Sequence, residues 1–368
     1  MELARRTRWI ALSLPVALAA AAALARPAPP GVLAAAGPAA ERACAQEAGA
    51  DGDSGAAAGG AWYRLDPRLD ARSTLVGRVL TAGRGSARWT AELPPESFAS
   101  GPVGGRVLVG DDDGQRSRLR LFDTSRGCWS VVGTEASVIR SALLTADASG
   151  LYEHRVDRAT RRDLGVWQRD GRVPGDTRRV LPGLDPSPAY GPTFSTTLVL
   201  ADDGRLAVSS CGERACRTRV LDPATGATST AGGTGPAAGV VGDQLVALQA
   251  CDGLPCPVRA IDLASGTASA LGGPATGAAV LATDGSGLVV VPDERGLRVV
   301  RARGAAPTSD VPGTSGLAPV PRTSTSETGF EAPLGLVAVA PGGTAADPSL
   351  VRLLDPATLQ ITAGEVLP

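Results

Sequence analysis

From Ala61 onward, short runs rich in Val and Leu alternate with turn residues. "RVLVG", "ALLTA", "TTLVLA", "RLAVSS", "QLVALQA", "GLVVVPD" and "LGLVAVA" each read as a short strand. No long segment repeats its apolar positions at the helical period. Many brief, evenly spaced strands predict an all-β sandwich, barrel or propeller.

An internal repeat selects among these. An apolar run, an Asp and a small turn recur as "LRLFDTSRG" (Asp123), "EHRVDRATR" (Asp157), "TRVLDPATG" (Asp222), "VRAIDLASG" (Asp262) and "VRLLDPATL" (Asp355). "WYRLDPRLD" (Asp66) and "GLRVVRARG" (near Val300) read as degraded copies. The turn has a physical basis. Asp accepts a hydrogen bond from the backbone two residues on, Pro presets φ at the next position, and Gly takes the positive φ that closes the turn. Upstream of most copies lies a second hairpin, as in "VLADDGRLAVSS" and "VLATDGSGLVVV", so each unit carries four strands. Asp222 and Asp262 stand 40 residues apart. That spacing fits the propeller-blade period of about 40 to 50 residues. Residues 61–368 are therefore expected to form a β-propeller of four-stranded blades, with seven favoured over six.

"VLDPATG" and "AIDLASG" resemble the repeats of the superfamily that includes the YVTN, PQQ-like and TolB-like β-propellers. The resemblance covers the architecture of about residues 61–368 and implies no particular activity. PQQ-like blades carry a Trp a few residues past the turn Gly. Here Trp129 follows Gly127 at about that place and Trp167 matches loosely after Asp157, whereas the other copies have Ser or Ala. A quinone cofactor is not expected, nor is any other cofactor.

The N-terminus carries a different pattern. Arg5, Arg6 and Arg8 precede the apolar run "WIALSLPVALAAAAALA", and Ala23-Leu24-Ala25 offers a small-residue cleavage site. Residues 1–25 read as a signal peptide. A short membrane anchor is the alternative, and it would be the chain's one attachment to a membrane. Residues 26–60 read as an Ala/Gly/Pro-rich disordered tether, because such residues bury too little apolar surface to offset ordering entropy. The remainder is expected outside the cytoplasm, secreted or associated with the cell envelope.

That compartment bears on the six Cys. Cys211 and Cys216 flank the four-residue loop of a predicted hairpin, and Cys251 and Cys256 repeat the arrangement one unit later. Directly opposed strand residues lie within disulfide reach. Two hairpin disulfides are expected rather than a four-Cys zinc site, whose ligand pairs gather on one short unit. Cys44 and Cys128 remain as a possible third pair, which would lash the tether to the unit containing Asp123.

Charge changes the picture little. The 368 residues carry 36 basic and 37 acidic side chains, without the basic field of a nucleic-acid binder. Lys and Asn are absent, a compositional bias that strips Arg-over-Lys choices of functional meaning. Candidate chemistry is sparse. "DGDSG" (Asp51–Gly55) contains a protease-like G-D-S-G but sits in the tether, away from any strand. His154 is the single histidine, so sites built on several imidazoles are excluded; it reads as a surface or blade-edge residue. "GDDDG" (Gly110–Gly114) and "ADDG" (Ala201–Gly204) lack the ligand pattern of a calcium loop and read as turns, and no metal is expected. Arg is dense from Arg155 to Arg179, and Arg116, Arg118 and Arg120 alternate along one strand; both read as solvated faces. Residues 304–329 form a long Pro/Ser/Thr/Gly insertion.

The expected function is that of an exported, monomeric, non-enzymatic scaffold. It would bind an envelope protein or polymer through loops on one face, using Glu213, Arg214, Asp252 and Leu254 of the disulfide-closed hairpins. The alternative is an extracytoplasmic enzyme of lyase or glycosidase type with a carboxylate- or metal-based site at the central channel. With five Trp, three Tyr, four Phe and one His, such a site is hard to assemble.

Overall fold

The computed structural model describes residues 43–44, 60–84, 87–170, 176–184, 195–201, 203–212, 216–250 and 256–275, the later strands given below, Glu331 and Thr358. The chain divides into residues 1–37, which lie outside the described residues, and a unit spanning 38–368. The expected signal peptide and cleavage site, most of the tether with its "DGDSG", and most of the 304–329 insertion also lie outside the described residues.

Every described regular element is a strand. β1 (Ala61–Leu69), β2 (Leu75–Arg84) and β3 (Ala87–Leu93) pair in sequence order. β4 (Phe98–Val103), β5 (Arg106–Asp112), β6 (Ser117–Asp123) and β7 (Cys128–Glu135) form a four-stranded antiparallel sheet. β8 (Val138–Leu144), β9 (Gly150–Val156), β10 (Asp163–Asp170) and β11 (Thr177–Leu181) form the next. A seven-stranded sheet follows: β12 (Ser195–Leu200), β13 (Leu206–Cys211), β14 (Cys216–Leu221), β15 (Thr228–Val241), β16 (Gln244–Gln249), β17 (Cys256–Asp262) and β18 (Ala268–Ala275). It amounts to two four-stranded units sharing β15. Thr228–Gly232 pair with β14, Ala237–Val241 pair with β16, and Thr234 pairs with both.

β19 (Ala279–Leu281), β20 (Leu288–Asp293), β21 (Gly296–Arg301) and β22 (Ser309–Asp310) make another four-stranded sheet. In the last stretch, β23 (Leu317–Pro319) pairs with β25 (Val337–Pro341), followed by β26 (Arg352–Asp355) and β27 (Gln360–Thr362). Between them β24 (Thr328–Phe330) leaves this sheet and pairs with β1, completing the first sheet in the order β24-β1-β2-β3.

The core is a series of apolar interfaces, each between consecutive sheets. Tyr63, Leu65 and Leu80 of the first sheet pack with Val107, Val109 and Phe122 of the second. Leu108 and Leu119 meet Ile139, Leu144 and Leu151 of the third. Leu143, Tyr152 and Val166 meet Leu198, Leu206 and Val208. Val199, Ala207 and Val220 meet Val240, Leu245 and Ala247 across β15. Val246 and Val258 then meet Val289 and Val300. Both faces of the second, third and seven-stranded sheets are therefore buried, which explains why their middle strands are apolar runs rather than alternations: β5 reads Val-Leu-Val and β16 Leu-Val-Ala-Leu. Repeated four-stranded antiparallel sheets, stacked face to face in chain order with a late strand added to the first, make a β-propeller.

The Asp turns form as the repeat predicts. Asp123, Asp222 and Asp262 each accept the N–H two residues on, and Gly127, Gly226 and Gly266 close the turns at φ 64°, 75° and 72°. All three join third and fourth strands. Asp157 departs from this: its turn joins β9 to β10, the second and third strands, and Arg161 takes the positive φ. Asp66 lies inside β1, and the neighbouring turn is capped by Asp70, which accepts the N–H groups of Arg72 and Thr74.

Candidate binding face and the buried charges

Cys211 ends β13 and Cys216 starts β14, directly opposite one another in the register, and a disulfide joins them. Glu213 and Arg214 lie outside the described residues, as do Cys251, Asp252 and Leu254. Cys256, at the start of β17, is disulfide-bonded. Thr234 ties the two hairpins together. It pairs with Cys216 on one side and Gln249 on the other, so the bases of both hairpins flank one buried residue. Below it runs a row of buried hydroxyls: Ser209 Oγ lies 2.8 Å from Thr218 Oγ1, and the Ala237 N–H donates to Ser209 Oγ.

A disulfide joins Cys44 to Cys128. The Cys44 N–H donates to the Trp129 carbonyl at 3.0 Å, and Ala43 makes a parallel bridge to Trp129. The segment read as a tether is thus fixed to β7 at this point.

The Arg-dense stretch is split: Arg161, Arg162, Arg178 and Arg179 are exposed, as its composition predicts, but two others turn inward. Arg155 and Arg169 are buried, their side chains 7% and 2% exposed. Both donate to Glu153, which is fully buried, and to Glu135 at the end of β7. Arg155 also stacks on Trp167, 4.5 Å from the ring centroid. Arg120 likewise turns inward, to Asp111 at 2.6 Å and over Trp129 at 4.6 Å. Arg116 is exposed and Arg118 partly so, so of the three alternating arginines only Arg120 leaves the solvated face.

His154 is buried rather than at a surface edge. Its Nε2 lies 2.9 Å from Asp163 Oδ1. Asp163 also accepts the N–H groups of Gly165 and Leu184. Burial works against its charge, but these hydrogen bonds and His154 hold its carboxyl below the usual range. Arg219 of β14 adds a nearby cation and donates to the Pro182 carbonyl.

The "GDDDG" carboxylates are engaged by protein groups. Asp111 pairs with Arg118 and Arg120, Asp112 with Arg158, and Asp113 caps the turn through the N–H groups of Gln115 and Arg116. Asp203 of "ADDG" pairs with Arg205.

No protein-family model matches the chain, and no curated protein matches it. Solved structures do. TolB from Acinetobacter baumannii is 12% identical, with 74% of this chain and 66% of that one covered at a TM-score of 0.43. The propeller domain of the Trilobed protease from Pyrococcus furiosus is 11% identical, covering 80% and 88% at 0.46. A puromycin-hydrolysing peptidase from Mycobacterium tuberculosis is 15% identical, covering 83% and 53% at 0.46. The chain spans about half the length of that peptidase.

Proposed function

We propose that the protein is an exported, non-enzymatic β-propeller that binds an envelope protein or polymer through the face carrying its two Cys-flanked hairpins. The observation that carries this reading is the position of Thr234 between Cys216 and Gln249, which brings the bases of the two hairpins together. A bridge closing so short a loop restrains the unfolded chain by only about 2 kcal/mol, so the fold gains little from it. A partner gains more. Each rotamer-rich side chain ordered on binding costs about 0.5–1.5 kcal/mol, and a loop already closed by a disulfide has lost part of its freedom beforehand. Glu213, Arg214, Asp252 and Leu254 are the contact residues of this reading. The bridges Cys44–Cys128 and Cys211–Cys216 support an oxidising compartment.

The test replaces Cys211 and Cys216 together by Ser. Secretion and the β-type circular dichroism spectrum are expected to stay as in the parent. Affinity for the partner captured by the parent from envelope extract, re-measured with that partner purified, is expected to fall. Equal affinity would place the binding surface elsewhere, and recovery of the protein solely from cytoplasm would overturn the export.

A further inference from the structure

The seam between the third sheet and the seven-stranded sheet changes character along its length. Leu143 and Tyr152 meet Leu198 and Val208 in an apolar layer. Side chains two residues apart on a strand share a face. The next layer, towards the Cys211 end, is therefore set by Ser141 and His154 on one side and by Thr196 and Ser210 on the other. The register agrees, since Ser141 stands opposite His154 and Thr196 opposite Ser210. Arg219 stands opposite Val208 and so faces the same seam, where its charge acts on Asp163 beside His154.

This layer is closed to bulk solvent. Ser141, Thr196 and Ser210 are 0%, 5% and 2% exposed. Yet each of their hydroxyls is buried without a hydrogen-bond partner among the described residues, and so is the Nε–H of Arg219. The neighbouring charges are engaged elsewhere. Asp163 accepts from His154 and from the N–H groups of Gly165 and Leu184, and Arg219 donates to the Pro182 carbonyl through Nη1. Buried polar groups are satisfied almost without exception, by protein or by ordered water, so orphans gathered in one layer point to a shared partner. Size supplies the reason they miss each other. Packed sheets stand about 10 Å apart, a distance that leucine and valine fill from both sides in the apolar layer. Serine and threonine hydroxyls are too short to bond across it, whereas a water bonded to both sides spans it.

Charge narrows the ligand. Asp163 and Arg219 balance one another across the seam, and Arg217, opposite Ser210, is exposed. An ion enclosed here would add a charge with no counterpart, which costs far more than enclosing a neutral molecule. Each hydroxyl both donates and accepts, and the Arg219 Nε–H donates, so a water can turn to suit whichever of them it meets. We infer that the layer of Ser141, Thr196, Ser210 and Arg219 is an internal hydration site, holding at least one ordered water that bridges the two blades by hydrogen bonds. The inference does not rest on the function proposed above.

The test counts long-lived waters in the intact chain by oxygen-17 magnetic relaxation dispersion. Thr196→Val keeps the branched shape of the side chain and Ser210→Ala removes a single oxygen. Together they are expected to lower the count by at least one water relative to the parent. An equal count overturns the inference. Where the double variant does not fold, a crystal structure of the parent at atomic resolution decides. A density peak within about 3.2 Å of at least two of the three hydroxyl oxygens is expected. Hydroxyls bonded directly to protein groups, with no such peak, overturn the site. A peak that gains the anomalous signal of bromide on soaking also overturns it, because the ligand would then be an anion. None of these outcomes touches the hairpin face, which is read by its own partner assay.

Discussion

Arg158, in the turn after β9, grips Asp112 at the end of β5 with two hydrogen bonds, Nη1 to Oδ1 at 2.9 Å and Nη2 to Oδ2 at 2.7 Å. The two residues belong to different sheets, so the pair clamps neighbouring blades. Arg158 Nε also donates to the Ala136 carbonyl, in the link between β7 and β8. Ser117 Oγ and the Gly114 N–H donate to the same carboxylate.

This clamp predicts an acid-sensitive joint. The Arg158 hydrogen bond, ahead of Ser117 and Gly114, lowers the Asp112 pKa to about 2. A carboxyl depressed in the folded state contributes stability above its unfolded pKa of about 3.9 and loses it as pH falls through the folded value. The window is therefore from about pH 4 down to about pH 2. After discounting for solvent screening, the contribution is about 1 kcal/mol. Asp112→Asn is expected to be less stable than the parent at pH 6, with the gap narrowing towards pH 2. Urea midpoints across that range read it, and a gap independent of pH would remove Asp112 from the acid response.

Much of this fold is legible in the sequence because its repeat is local. The turns at Asp123, Asp222 and Asp262 are set by one side chain, its own backbone and a glycine four residues on. The same chemistry misleads at Asp157. A turn motif fixes a hairpin but not which pair of strands it joins, and here it joins the second and third. Arg155, Arg169 and Arg120 were unreadable for another reason. Charges along a strand look alike whether they meet water or a buried partner: Glu135, which binds Arg155 and Arg169, comes from a different sheet, and Asp111, which binds Arg120, from the neighbouring strand. The pairing of β24 with β1 joins residues far apart in the chain through a three-residue strand that carries no pattern of its own.

The two disulfides joining described residues are expected to differ in their effect on stability. Cys44–Cys128 closes a separation of 84 residues, Cys211–Cys216 one of only 5. In the chain-entropy model the first restrains the unfolded state by roughly 4.5 kcal/mol and the second by about 2 kcal/mol. Replacing Cys44 and Cys128 by Ser should lower the thermal midpoint more than replacing Cys211 and Cys216. Scanning calorimetry of the two double variants checks the order. The reverse order would mean that residues around Cys44 add nothing to the folded unit beyond what the short bridge supplies.

The closure of the first sheet rests on Gly329. It pairs with Tyr63, and a Cβ there would stand 2.1 Å from the Gly101 carbonyl oxygen and 2.3 Å from Tyr63 Cε1. Neither neighbour has room to yield. Gly101 belongs to the backbone of β4, and Tyr63 is fully buried with its hydroxyl donating to the Ala99 carbonyl. Just beyond the strand, Glu331 fastens the same joint: its carboxylate accepts the N–H groups of Gly104 and Gly105, and its own N–H donates to the Ala61 carbonyl. Gly329→Ala must therefore displace β24, exposing the edge of β1 and releasing Glu331 together with it. A loss of about 1–3 kcal/mol is expected from overpacking, with faster amide exchange along β1. Glu331→Gln keeps the strand in place and weakens only the charge-assisted bonds, so its loss should be smaller, on the order of 1 kcal/mol, with exchange along β1 little changed. Hydrogen exchange read by mass spectrometry on peptides covering Ala61–Leu69 separates the two. If Gly329→Ala protects β1 as well as the parent does, β24 is not the strand that closes this sheet.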